Sequence, residues 1–228
     1  MRPAPRAFTL IELLAVIAVV GVLTAIGVGA VSLVRQKAHQ TRCTANLRSI
    51  GVAMMLHIGE HRNTLPGPTF TGAKGAYNRS GGSGELAAIL APYLDIRPLD
   101  RLVGNEREEA PMFQCPSRPI DASATSEPPV YGVQCALNPA RMPNNSGRPM
   151  GVASDNPANV RLPVRITDLD AVGGPARVWA LIEMDRQVAQ RYSPFAGWAA
   201  NLPEKPAHGG GRNALYFDGH VSRLTTPP

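Results

Sequence analysis

The fold is decided by the stretch 8–34, Phe8-Thr9-Leu10-Ile11-Glu12 followed by LLAVIAVVGVLTAIGVGAVSLV. From Leu13 to Val34 it holds 22 consecutive residues without a charge. A helix of that length spans about 33 Å, close to the roughly 30 Å of a bilayer core. The run is apolar on every side, whereas a surface helix carries one apolar stripe. A secretory signal has a shorter apolar core, about 7–15 residues, and a small-residue cleavage site beyond it. The RQKAHQTRC that follows here has no such site. The run predicts a transmembrane helix over 8–34. Arg2 and Arg6 precede it, and Arg35, Lys37, Arg42 and Arg48 follow it. Counting cations alone places the C-terminal side inside.

Glu12 is the one carboxylate in this stretch. Such a group costs about 2.5–3.5 kcal/mol at the centre of a membrane helix and less near its end, so it needs a partner. Cutting the chain before Phe8 would create one, an α-amino cation on its own or a neighbouring chain. An acid in the first turn also suits the helix dipole. The plainer reading is a Glu lying in the water interface without a role.

Ala7-Phe8-Thr9-Leu10-Ile11-Glu12-Leu13-Leu14, after the short basic leader 1–7 (MRPAPRA), resembles the processing site of type IV pilins and type II secretion pseudopilins. The resemblance implies that a prepilin peptidase cuts between Ala7 and Phe8 and that Phe8 is then N-methylated. It also implies that Glu12 helps subunits dock. The family has Gly where this chain has Ala7.

Past Val34 the pattern changes to an amphipathic stem, 35–63. Leu47, Ile50, Met54 and Ile58 recur at spacings of three and four, with Arg48, Glu60 and Arg62 among the polar positions. The absence of Pro between Phe8 and Asn63 allows one helix of about 55 residues, ended by Pro66. His57-Ile-Gly-Glu60-His61 fits the His-x-x-Glu-His pattern of zinc peptidases. Ordinary stem residues are the expected reading, because Gly59 weakens the helix and no third ligand is apparent.

The head, 64–228, is rich in turn residues, consistent with 22 Gly and 22 Pro in the chain. Glu85–Leu94 predicts a short helix capped by Ser83, while 112–115, 130–137 and 178–182 predict short strands. Asn213–Phe217 and His220–Leu224 flank Asp218-Gly219, predicting a terminal hairpin, 213–224, with a two-residue type I′ turn. His208 stands nine residues before Asp218-Gly219, which resembles a C-terminal signature of a subgroup of pilin-like proteins. Two further segments, 42–51 and 113–117, agree with that subgroup. His208, Asp218 and His220 are the candidates for a metal site, but structural use is the expectation, with no metal and no cofactor. HGGG at 208–211 matches an esterase oxyanion motif, yet the chain has no Gly-x-Ser-x-Gly elbow to accompany it.

Three cysteines exclude a disulfide-dense mini-protein, and no Cys-x-x-Cys zinc spacing occurs. Cys43 lies on the stem helix, and any of the three can be the odd cysteine; in an oxidising compartment the expected bridge joins Cys115 and Cys135 on neighbouring predicted strands, with three buried thiols as the alternative. A net charge of +6 without a dense basic block points to no nucleic-acid partner. The expected fold is α+β and pilin-like, a long N-terminal helix packed on a small antiparallel sheet. The expected function is a non-enzymatic subunit of a type II secretion pseudopilus or type IV pilus-like filament. Its partners are prepilin peptidase, the membrane and other pilin-like subunits. It would sit in the bacterial inner membrane as a single-pass protein with an extracytoplasmic head, the opposite of the orientation that counting cations gives. The rival reading is a singly anchored binding domain, metal-binding or not, that does not assemble.

Overall fold

A computed structural model of the chain describes residues 9–118, 128–192 and 197–227, without the side chains of 25–30. It has an α+β architecture with a long N-terminal helix and a small antiparallel sheet. The chain divides into two compact units, Met1–His39 and Gln40–Pro228. Helix α1, Leu10–Glu60, contributes residues to both.

In the first unit, large apolar side chains of α1 are exposed, among them Leu10, Ile11, Leu14, Ile17, Val20 and Leu23. The predicted span 8–34 lies partly outside the described residues. Among those described, no helix is long and apolar enough to cross a membrane.

In the second unit, Cys43, Leu47, Ile50, Met54 and Ile58 form the buried stripe of α1. The helix does not run to Pro66. Arg62 and Asn63 turn left-handed, with φ of 55° and 63°, and the Asn63 N–H closes on Ile58 O at 3.0 Å. The main sheet runs β1 (Gly72–Ala73), β4 (Tyr131–Val133), β5 (Trp179–Glu183), β6 (Arg212–Tyr216) and β7 (Val221–Leu224), every pair antiparallel. A separate ribbon pairs β2 (Ala76–Asn78) with β3 (Arg107–Glu109).

Strand β5 is buried along its whole length, which explains its apolar run from Trp179 to Ile182. Leu181, and Leu215 of β6, join the core under α1. Trp179 and Ile182 instead pack with Val188 and Ala189 of α3 (Arg186–Tyr192). At Gly51 an added Cβ would lie 2.9 Å from Leu215 Cδ1 and 3.4 Å from Gly219 O, so glycine lets the terminal hairpin approach α1.

Several local expectations are corrected. The 112–115 segment is no strand; Pro111–Phe113 is a 3-10 turn, with Pro at its start. The helix after the glycine-rich loop is shorter, α2 at Leu86–Leu90, and Glu85 rather than Ser83 takes the N-cap position. In the hairpin only Gly219, not Asp218, has positive φ (89°). The Gly219 N–H bonds to Tyr216 O and the Tyr216 N–H to His220 O, both at 2.9 Å, so the loop is three residues long. Phe217 causes the difference. Its side chain is fully buried and its N–H goes to Val178 O at 3.2 Å, which removes it from the β6–β7 ladder.

A Cβ added at Gly219 would meet open space, so substitution there strains the backbone alone. Gly219→Ala should destabilise the chain by about 1–3 kcal/mol in denaturant unfolding. Gly219→Asn should cost less, because Asn tolerates the left-handed region.

Candidate functional site

The first helical turn is held by a reciprocal pair. Thr9 N–H and Oγ1–H donate to Glu12 Oε2 at 2.9 and 2.8 Å, and Glu12 N–H approaches Thr9 Oγ1 at 3.3 Å. This is a capping box, with Thr at the cap and Glu three residues on. Sequence reasoning placed Glu12 in the first turn but missed the Thr-x-x-Glu signature. Among the described residues these bonds engage Oε2 only. Ala7 and Phe8 lie outside the described residues.

A second constellation is buried in the head. After the apolar run of β5 come Glu183, Met184 and Asp185, two buried carboxylates on either side of a methionine. His208 stands in the turn before β6, where Gly209 and Gly210 take positive φ of 57° and 85°. An added Cβ at Gly211 would lie 2.3 Å from Arg223 Nε. The glycines of HGGG thus serve a tight turn.

The His208 side chain is 1% exposed, with Nε2 3.0 Å from Glu183 Oε1 and 3.4 Å from Cys115 Sγ. Asn213 secures Glu183, donating its backbone N–H to Oε2 at 2.8 Å and its amide to Oε1 at 3.0 Å. Asp185 pairs with the buried Arg212 and accepts from Gln187 N–H at 2.9 Å and Val188 N–H at 3.1 Å, which caps α3. Arg118 donates to Pro129 O at 2.6 Å. Burial brings Arg118 down to about 10, against the pull of Asp185 and Glu183, so it stays cationic at neutral pH.

The expected Cys115–Cys135 bridge is corrected. Cys115 is bonded to Cys43 of α1, with Cα atoms 5.3 Å apart, and Cys135 is free. Asn46, one turn beyond Cys43, donates to Gln114 O at 2.9 Å and so draws Cys115 to the helix. Cys135 lies past β4 with its thiol on Tyr192 O at 3.5 Å, and burial pushes its pKa up.

His208, Asp218 and His220 are not brought together as ligands. Asp218 and His220 pair with each other at 2.6 Å on the exposed turn, while His208 joins Cys43, Cys115 and Glu183. At the zinc-peptidase-like motif, His57 and His61 stack with ring centroids 3.9 Å apart. Glu60 accepts from Tyr93 O–H at 2.6 Å. Burial and the neighbouring His61 hold His57 down at about 4.

Sequence reasoning missed Glu183, Asp185, Arg212 and Asn213. A signal for the two acids was present, since they directly follow an apolar strand, and a charge buried with it needs a partner. Their partners, 25–30 residues away in sequence, carried none.

Comparison with known families agrees with the N-terminal reading. Residues 2–28 match the prokaryotic N-terminal methylation motif. The chain belongs to the family described as a protein of unknown function (DUF1559), whose profile matches residues 33–163, more than half its length. Together these define a pilin-like protein with a prepilin-type methylation motif. Neither match reaches the C-terminal His208 and Asp218-Gly219 pattern. No curated protein and no solved structure matches the chain.

Peptide mapping without reduction should recover the Cys43 and Cys115 peptides linked, with Cys135 alkylated as a free thiol. A linked Cys115–Cys135 peptide would contradict the observed pairing.

Proposed function

We propose that the protein is a structural, non-enzymatic subunit of a type IV pilus-like or type II secretion pseudopilus-like filament. Prepilin peptidase cuts it between Ala7 and Phe8, and Phe8 is N-methylated. The segment 8–34 then holds the mature chain in the bacterial inner membrane with residues 64–228 outside the cytoplasm, until the helices of successive subunits stack.

The reading rests on one observation, the methylation-motif match over 2–28, which contains Phe8-Thr9-Leu10-Ile11-Glu12. Two others support it. The sequence keeps 22 uncharged residues after Glu12, and the described apolar side chains of that part of α1 lie exposed. An apolar surface of this kind has to be covered by lipid or by other helices. Thr9 occupies Glu12 Oε2, so in this mechanism Oε1 meets the N-terminal ammonium of a neighbouring Phe8.

Intact mass of the membrane-extracted protein should correspond to a chain starting at Phe8 with one added methyl group. A start at Met1, or between 30 and 45, contradicts the proposal. Glu12→Gln should insert into membrane as well as the parent but enter filaments less often. Equal incorporation of the two in a competition assay would count against assembly through Glu12. Failure of parent chains to crosslink through the helix would favour a singly anchored domain.

A further inference from the structure

We propose that Cys43, Cys115, Glu183 and His208 form a redox-gated site for a thiophilic divalent cation of the zinc type, closed when the two cysteines are joined and open when they are thiols. The four residues are buried and come from α1, the loop after Pro111–Phe113, β5 and the turn before β6. One ligand atom from each lies within 4.8 Å of all the others. Around a tetrahedral zinc ion, bonds of about 2.3 Å to sulfur and about 2.0–2.2 Å to nitrogen or oxygen put two ligand atoms roughly 3.3–3.8 Å apart. The 3.4 Å from Cys115 Sγ to His208 Nε2 and the 3.0 Å from that nitrogen to Glu183 Oε1 are close to this spacing, and the remaining pairs, within 4.8 Å, draw in when the ion binds.

The donor set selects the ion. Two thiolates and an imidazole favour zinc and other soft or borderline cations, and disfavour magnesium and calcium, which take oxygen. The carboxylate ligand is already held in place by its neighbour. Asn213 fixes both oxygens of Glu183 through two hydrogen bonds. A small cavity is lined by Cys115, Arg118, Glu183, Asp185 and Arg212. It brings a cation, Arg118, to the side of a site that would otherwise hold three buried anionic ligands around one divalent ion.

The two states exclude each other because they use the same sulfurs. A dithiol opens the site by exchange. It passes two electrons and two protons to the Cys43–Cys115 bond and is itself oxidised to a disulfide. The divalent cation then displaces the two thiol protons. His208 ligates through Nε2 and carries its proton on Nδ1, an atom with no hydrogen-bond partner among the described residues of the disulfide form.

The test uses the full chain in detergent, with cobalt(II) as the probe. After reduction by a phosphine, which does not compete as a thiol, the chain should bind one cobalt ion with sulfur-to-cobalt charge-transfer absorption, and zinc should displace it. The oxidised chain should take up none at this site. His208→Ala should weaken binding by at least about tenfold, whereas Asp218→Ala and His220→Ala should leave it unchanged. Glu183→Gln repeats the His208 test with a smaller change of volume. The proposal is overturned if the reduced parent, with three titratable thiols, takes up no cobalt or takes it up without sulfur absorption. It is equally overturned if the reduced parent unfolds and cobalt does not restore its structure.

Discussion

The buried stripe of α1 from Cys43 to Ile58 is the surface on which the head is organised. The strands are two to five residues long, and strands so short do not hold together without a packed face. Leu47, Ile50 and Met54 supply that face, and burying each such side chain contributes about 1.5–3 kcal/mol. The same helix face bears Cys43, the covalent tie to the 111–115 loop, with Asn46 adding a hydrogen bond to the same loop. Gly51 meets the terminal hairpin where a larger residue would strike Leu215. Loop, sheet and hairpin therefore share one template.

Against this template the head buries an unusual amount of charge. Glu183, Asp185, His208 and Arg212 are all buried, and each has a polar partner. Burying ions is costly unless geometry and hydrogen bonds compensate. Here one backbone segment does much of that, since the end of β5 and the two residues after it deliver both carboxylates while β6 begins with the two residues, Arg212 and Asn213, that engage them. Loss of either strand's register would leave uncompensated charge, so the polar centre discriminates against slipped pairings as well as holding the correct one.

The first unit follows different physics. Its described apolar side chains face outward around the helix rather than along one stripe, so no single-sided packing satisfies them. The Thr9–Glu12 box satisfies the helix start locally. A pilin-like chain thus combines a helix start capped from within and a helix surface whose described apolar side chains lie exposed.

Much of this was legible in the sequence because it depends on near neighbours. The uncharged run after Glu12, the three-and-four spacing of Leu47, Ile50, Met54 and Ile58, and the apolar 178–182 strand are local patterns with one dominant structural outcome. What followed from distant contacts was not legible. Asp218-Gly219 reads as a two-residue turn, but burial of Phe217 enlarged it to three. Neighbouring predicted strands paired Cys115 with Cys135, and only the closeness of α1 to the 111–115 loop chose Cys43. His208 has no evident partner in sequence, and it acquires Glu183 and Cys115 only when β5, the loop and the helix pack together. Periodicity along one element is written in adjacent residues, whereas the meeting of residues 43, 115, 183 and 208 is set by packing of the whole head, and only the tertiary structure decided it.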